Sequence, residues 1–127
     1  MILGLGTDLV GIARIAGVHA RHQARFLDRV YTADEQAYCL AASAPAERLA
    51  VRWAAKEAAM KALGTGWARG VTFRAIEILP AVDGPPRLAL HGQAAELARL
   101  MGVTRMHLSL SHSDGMAIAT VVLEGPV

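Results

Sequence analysis

Trp53-Ala54-Ala55-Lys56-Glu57-Ala58-Ala59-Met60-Lys61 is the stretch that decides how this chain folds and which chemistry it can carry. Alanine, methionine, lysine and glutamate favour the helix, so the stretch predicts a helix. Three charged side chains, those of Lys56, Glu57 and Lys61, interrupt its apolar sequence. A carboxylate with basic neighbours in such surroundings indicates a site for a metal ion and a phosphate.

The helix extends on both sides of this stretch. Pro45 suits the first turn of a helix, and Gly64 suits its end, so we expect a helix from Pro45 to Leu63. Before it, Thr32 and Glu35 have the spacing of a capping box, which predicts a helix that opens at Thr32 and runs to about residue 42. Two shorter helices are predicted over residues 12–25 and 93–101.

The remaining segments predict strands. The last two candidates flank Asp114-Gly115, which is a typical two-residue hairpin turn. The predicted strands are residues 2–10, 73–79, 87–91, 106–113 and 116–123. The order β-α-α-α-β-β-α-β-β predicts an α+β fold, with helices packed on a mainly antiparallel sheet in a single domain of residues 1–127.

Composition limits the classes of protein to consider. The 127 residues are 54% hydrophobic and 19% charged, which favours a compact fold and indicates that some apolar surface is buried between subunits. The net charge of +2 is too small to indicate a nucleic-acid partner. Cys39 is the only cysteine, which predicts a reducing compartment. Neither a signal peptide nor a membrane span is predicted, so we expect a cytoplasmic protein.

A second carboxylate lies near the N-terminus. Strand periodicity puts Gly4, Gly6 and Asp8 on one face of the first strand. On one interpretation the glycines clear space beside Asp8 for a metal or a ligand. On the other, Asp8 ends the strand and the glycines form a bulge. Carboxylates from two distant segments, with lysines and a histidine, are the minimum set for metal-assisted phosphoryl chemistry.

The charges of the long helix also allow two interpretations. Glu57 and Lys61 are one turn apart and could form an ordinary ion pair worth about 0.2–0.5 kcal/mol. Arg48, Arg52 and Lys56, however, follow one another at i,i+4. Like charges at that spacing repel each other, so the pattern predicts an anion among them, such as a phosphate-rich ligand.

Three further features each have an ordinary alternative. His112, beside the predicted hairpin turn, is either a core histidine or a residue that reaches a ligand at the rim. Gly64 is either a plain helix cap or, with Gly66, part of a loop that approaches a phosphate through its amides. The arginines of the predicted helix 12–25 form either a solvated surface or a docking face for an acidic partner; they are Arg14, Arg21 and Arg25.

Taken together, these segments resemble the holo-acyl-carrier-protein synthase family of 4'-phosphopantetheinyl transferases. The resemblance spans nearly the whole chain in the length, order and spacing of its motifs. It is carried by Gly6-Thr7-Asp8-Leu9-Val10, by Arg52-Trp53-Ala54-Ala55-Lys56-Glu57-Ala58 with Lys61-Ala62-Leu63-Gly64-Thr65-Gly66, and by Leu108-Ser109-Leu110-Ser111-His112-Ser113.

The resemblance implies a reaction and a set of roles. The family moves the 4'-phosphopantetheine arm of coenzyme A onto a serine of acyl carrier protein, for fatty acid biosynthesis, and releases adenosine 3',5'-bisphosphate. By this resemblance Asp8 and Glu57 hold Mg²⁺, and Lys61 neutralises charge on the phosphate under attack. Glu57, or a water held by Asp8, is the candidate base for the serine proton. Coenzyme A contacts are implied for Arg52, Lys56, Lys61, Gly64 and His112.

The resemblance also implies a homotrimer with active sites between subunits, and docking of the acidic carrier on Arg14, Arg21 and Arg25. Two other functions use the same residues. One is a non-catalytic module that binds an acidic protein or a nucleotide. The other is hydrolysis of a nucleotide pyrophosphate, in which water is the acceptor. Metal dependence separates the first from an enzyme, because a pure binder has no need of Asp8 and Glu57 together.

Overall fold

The computed structural model describes residues 1–66 and 69–127. A three-stranded sheet of order β1-β5-β4 and a two-stranded sheet of β2 and β3 are both antiparallel. This arrangement confirms the predicted α+β class with helices packed on antiparallel sheet. The elements are β1 (Ile2–Gly11), α1 (Ile12–His22), α2 (Ala24–Val30), α3 (Ala33–Leu40), α4 (Pro45–Leu63), β2 (Ile76–Leu79), β3 (Arg87–Leu90), α5 (Gly92–Met101), β4 (Arg105–Ser113) and β5 (Met116–Glu124).

The ends of α3 and α4 follow the local signals in the sequence. The Thr32 hydroxyl accepts from the Glu35 amide, and the Glu35 carboxylate accepts from the Thr32 amide, so the predicted capping box is confirmed. Pro45 begins α4, and Gly64 ends it in the left-handed region at φ 75°. The predicted hairpin turn is also confirmed, because Asp114 and Gly115 have φ of 50° and 74°.

Two predictions about local structure are wrong. The helix predicted over residues 12–25 is broken at Gln23, whose φ of 45° is incompatible with a continuous helix, and α2 then extends to Val30. The strand predicted from residue 73 begins only at Ile76. Residues Phe73–Ala75 form a 3₁₀ turn because the Thr72 hydroxyl accepts from the Ala75 amide.

Helix α4 lies directly on β1, and two glycines make that approach possible. A β-carbon at Gly4 would lie 2.1 Å from the Ala62 carbonyl oxygen, and one at Gly6 would lie 1.9 Å from that of Ala58. The glycines therefore make room for the helix backbone. The prediction that they clear space for a metal or a ligand is wrong, because α4 fills that space.

The two faces of the three-stranded sheet differ in their surroundings. Toward α4 the residues of β5 are small or aliphatic and buried: Ala117, Ala119, Val121 and Leu123. The opposite face exposes large apolar side chains, with Leu5 65% and Leu9 59% exposed beside Met116 and Ile118.

Across residues 1–66 and 69–127, none of the helices is long and apolar enough to cross a membrane.

Burial of the Cys39 thiol makes the free energy of unfolding depend on pH in the alkaline range. Burial raises the pKa of the thiol from 9.0 to about 11. Above pH 9 the unfolded chain loses this proton while the folded chain keeps it, so stability falls as the pH rises from 9 to about 11. The expected loss is about 2–3 kcal/mol for this group.

The variant Cys39→Ala lacks the thiol and tests this dependence. The difference in unfolding free energy between the variant and the parent should change by about 2 kcal/mol between about pH 8 and about pH 10.5. A difference that stays constant in urea titrations would contradict this assignment.

Candidate active site

Asp8 and Lys61 meet where α4 crosses β1. The Lys61 ammonium lies 3.2 Å from Asp8 Oδ1 and donates to the Thr7 carbonyl oxygen at 2.8 Å. The Asp8 side chain is 17% exposed, whereas that of Lys61 is 53% exposed. Helical side chains lean toward the helix N-terminus, so Lys61 reaches back along α4 to the strand. Two residues separated by 53 positions are thus brought together.

Glu57 lies on the same side of α4 as Lys61, one helical turn before it. Ala62 is opposite Gly4 and Ala58 is opposite Gly6, so α4 and β1 run in opposite directions. Two residues of a strand and four residues of a helix each span about 6–7 Å. Two residues after Gly6, Asp8 is therefore expected beside the turn of α4 that precedes Ala58. That turn carries Glu57, which is half-buried. We call Asp8, Glu57 and Lys61 the carboxylate edge.

The carboxylate edge has the donor set that a magnesium ion uses with a phosphate substrate. Mg²⁺ usually takes one or two carboxylates and completes its octahedron with phosphate oxygens and water. In the part of the chain that the structure describes, no group of three or more His, Cys, Asp and Glu could hold a metal by protein ligands alone. Two carboxylates at a partly open edge therefore fit an Mg²⁺ ion whose remaining coordination positions would be filled by substrate oxygens and water.

Lys56, next to Glu57, lies in the core. Its side chain is fully buried, and its ammonium donates to Glu35 Oε1 at 2.8 Å, to the Phe73 carbonyl at 3.0 Å and to the Ile76 carbonyl. Burial lowers the pKa of Lys56, and the Glu35 carboxylate opposes that shift. All three N–H donors are used, which contradicts the predicted contact between Lys56 and coenzyme A.

Glu35 is the partner of Lys56 that the sequence did not reveal. Its Oε1 accepts from the Thr32 amide and from Lys56, while its Oε2 accepts from the Ile78 amide at 3.0 Å. One carboxylate therefore ties α3, α4 and β2 together. The capping-box spacing indicated only the local bond to Thr32, because nothing in the sequence links residues 35 and 56.

Two arginines of α4 pack against a tyrosine of α3. The guanidinium carbons of Arg48 and Arg52 lie 4.1 and 4.5 Å from the centroid of the Tyr38 ring. Tyr38 and Glu35 thus offset part of the repulsion between like charges, so this repulsion alone does not require a bound anion. Arg52 is only 5% exposed, and its Nε has no hydrogen-bond partner among the described residues. That buried donor leaves capacity for an anion.

His112 reaches the rim of the molecule. Its side chain is 51% exposed, and its Nδ1 lies 3.9 Å from Glu47 Oε1 in the first turn of α4. The core alternative for this histidine is therefore wrong. Gly64, in contrast, is a helix cap whose amide donates to the Lys61 carbonyl at 3.0 Å. Because that amide is used, it is not available to a phosphate.

The three predicted docking arginines are exposed but do not share one helix. Arg14 and Arg21 lie on α1, two turns apart, while Arg25 lies on α2 beyond the break at Gln23. A groove reached by Val18 of α1 and Phe26 of α2 is lined mainly by apolar and aromatic side chains, including Trp53 and Phe73, and also by Arg29 and Thr72. The Trp53 and Phe73 rings stack with centroids 4.8 Å apart.

Comparison with known proteins places this arrangement in a family. A model described as the 4'-phosphopantetheinyl transferase superfamily matches residues 4–121. The holo-(acyl-carrier-protein) synthase of Koribacter versatilis is 48% identical over 124 residues, which cover 98% of this chain and 99% of that protein. The chain belongs to the holo-(acyl-carrier-protein) synthase family. It is therefore an enzyme, a phosphopantetheinyl transferase, as the sequence motifs predicted.

Solved structures of holo-(acyl-carrier-protein) synthases have the same fold. The enzyme from Neisseria meningitidis matches with a TM-score of 0.89 and 35% identity over 98% of this chain and 99% of that one. The enzyme from Helicobacter pylori, solved in complex with coenzyme A, matches with a TM-score of 0.82 and 31% identity over 94% and 99%.

Proposed function

We propose that this holo-(acyl-carrier-protein) synthase transfers 4'-phosphopantetheine from coenzyme A to a serine of apo-acyl carrier protein. The reaction depends on Mg²⁺, releases adenosine 3',5'-bisphosphate and serves fatty acid biosynthesis. The contact of Lys61 with Asp8, beside the turn that carries Glu57, is the observation that supports it most. Two carboxylates and one ammonium at one edge would support a phosphoryl transfer, which depends on positioning and on charge neutralisation.

Each member of the carboxylate edge has a role in this proposal. Asp8 and Glu57 would hold Mg²⁺, which supplies charge neutralisation at the pyrophosphate when it is bound. Lys61 neutralises charge on the phosphate under attack. Glu57, or a water held by Asp8, takes the proton from the serine hydroxyl as the new P–O bond forms. The P–O bond to the leaving nucleotide breaks in the same transfer.

We assign the contacts with the nucleotide phosphates to residues that have an available N–H donor or that leave space for the ligand. Arg52 has its buried Nε, and His112 stands half-exposed at the rim. Gly64 contributes room next to Lys61. Lys56 is left out because its ammonium is fully engaged in the core.

We further propose a homotrimer in which copies of this chain cover the exposed apolar face of the three-stranded sheet. Leu5, Leu9, Met116 and Ile118 form a face that is costly to leave in water. Active sites between subunits follow from the resemblance to the family. We treat residues 1–127 as one catalytic domain, since the family match covers 4–121. The single Cys39 favours a cytoplasmic location.

Acyl carrier protein is proposed to dock on α1 and the adjoining groove. Arg14 and Arg21 supply positive charge for an acidic partner, and the apolar lining next to them accepts aliphatic side chains. Arg25 lies on α2, just after the break at Gln23, and adds a third positive charge to this docking face.

Charge reversal tests this docking face. Arg21→Glu should raise the KM for acyl carrier protein by about tenfold at low salt and leave the KM for coenzyme A nearly unchanged, because the contact is electrostatic and lies at a rim. Arg87→Glu, an exposed reversal on β3, is the matched control and should change neither value. Unchanged carrier kinetics in Arg21→Glu would place the docking face elsewhere.

Product analysis tests the proposed reaction against hydrolysis of the pyrophosphate. With coenzyme A and Mg²⁺, release of adenosine 3',5'-bisphosphate should require apo-acyl carrier protein and stop when its acceptor serine is replaced by alanine. Chromatography of the nucleotide products measures this. Release at the same rate without any carrier would favour the hydrolase, and no release in either case would favour the non-catalytic binding module.

A further inference from the structure

The pairing of Lys61 with Asp8 has a consequence for metal binding. Lys61 is the more exposed partner, a long side chain with 53% exposure. Asp8 is held on β1, with only 17% of its side chain exposed. The ammonium has a second acceptor, the Thr7 carbonyl oxygen at 2.8 Å, which is on the same strand. A cation therefore lies against the carboxylate that the proposed Mg²⁺ site would use.

We propose that Lys61 and the divalent metal compete for the Asp8 carboxylate, and that a phosphate of coenzyme A relieves the competition by drawing Lys61 away from Asp8. This inference rests on the function proposed above. The Asp8 carboxylate has a single negative charge, so the metal must either share that charge with the ammonium or displace the ammonium. Because an exposed ion pair is weak, displacement costs about two- to tenfold in metal affinity.

The competition couples the metal to the substrate. A phosphate near the carboxylate edge offers Lys61 new acceptors in place of Asp8 Oδ1 and the Thr7 carbonyl. Once Lys61 moves to them, Asp8 is released for the metal. By linkage, the metal must favour the same movement and so strengthen the contact between Lys61 and the phosphate. Lys61 is thus delivered to the phosphate under attack when the metal arrives.

Titration with Mn²⁺ alone, followed by electron paramagnetic resonance, tests the competition without turnover. Lys61→Met should bind Mn²⁺ about two- to tenfold more tightly than the parent, although it transfers phosphopantetheine poorly. Lys61→Arg retains a cation opposite Asp8 and should not bind more tightly. Arg99→Met breaks an exposed ion pair with Glu96 on α5 and should leave the affinity unchanged. Adding coenzyme A should increase Mn²⁺ affinity by a smaller factor in Lys61→Met than in the parent.

A double-mutant cycle separates direct competition from a general effect of charge. If Lys61 acts through Asp8, the gain from Lys61→Met should disappear in the Asp8→Asn background. A gain that persists there, or a folded Lys61→Met that binds Mn²⁺ no more tightly than the parent, would overturn the inference while leaving the proposed transferase site intact. Mn²⁺ binding that Asp8→Asn does not weaken would overturn the proposed metal site and this inference with it.

Discussion

Glu57→Gln and Asp8→Asn should each lower the rate of phosphopantetheine transfer on the order of 100-fold or more, while the protein stays folded. Each replacement keeps the shape of the side chain and removes the negative charge that would hold Mg²⁺ beside the pyrophosphate. Loss of either ligand should also raise the Mg²⁺ concentration needed for half-maximal rate. Steady-state rates at limiting and saturating Mg²⁺ measure both effects.

Glu96→Gln is the matched control for these variants. It neutralises an exposed carboxylate on α5 that pairs with Arg99, far along the chain from the carboxylate edge. Its rate and its Mg²⁺ dependence should equal those of the parent. If Glu57→Gln or Asp8→Asn retained nearly full turnover at limiting Mg²⁺, the carboxylate would not be a metal ligand.

Lys56→Met should lower the free energy of unfolding by about 3–5 kcal/mol and leave the coenzyme A affinity of the folded protein unchanged. The variant removes the cation that donates to the buried Glu35 carboxylate, together with the hydrogen bonds from Lys56 to the carbonyls of Phe73 and Ile76. Urea unfolding measures the first effect, and calorimetric titration of coenzyme A at low temperature measures the second.

The double variant Glu35→Gln/Lys56→Met identifies the cause. It removes both charges, so it should be more stable than Lys56→Met alone, because no unpaired charge remains in the core. A Lys56→Met protein of normal stability but weakened coenzyme A binding would instead return Lys56 to the nucleotide site, as the sequence first indicated.

Local signals made much of the fold predictable. Pro45 and Gly64 mark the ends of α4, and Thr32 with Glu35 marks the start of α3; each acts on backbone groups within one turn. Asp114-Gly115 determines its turn in the same local way. The break at Gln23 carries no such signal, because glutamine is an ordinary helix residue and does not indicate a positive φ.

The candidate site was predictable only in part. Lys56 and Glu57 are adjacent in one motif, yet Lys56 is buried against Glu35 while Glu57 lies at the carboxylate edge. Which side of α4 faces the core depends on α3 and β2, and their contacts are long-range. The role of Gly6 depends likewise on the backbone of Ala58, which strand periodicity alone does not reveal.

The intact mass of acyl carrier protein tests the central proposal most directly. After incubation of apo-acyl carrier protein with this enzyme, coenzyme A and Mg²⁺, we expect the carrier to gain the mass of one phosphopantetheinyl group. No gain is expected when the metal is chelated or when the acceptor serine is replaced by alanine. A carrier whose mass stays unchanged in the complete mixture, with folded enzyme present and coenzyme A intact, would contradict the proposed function.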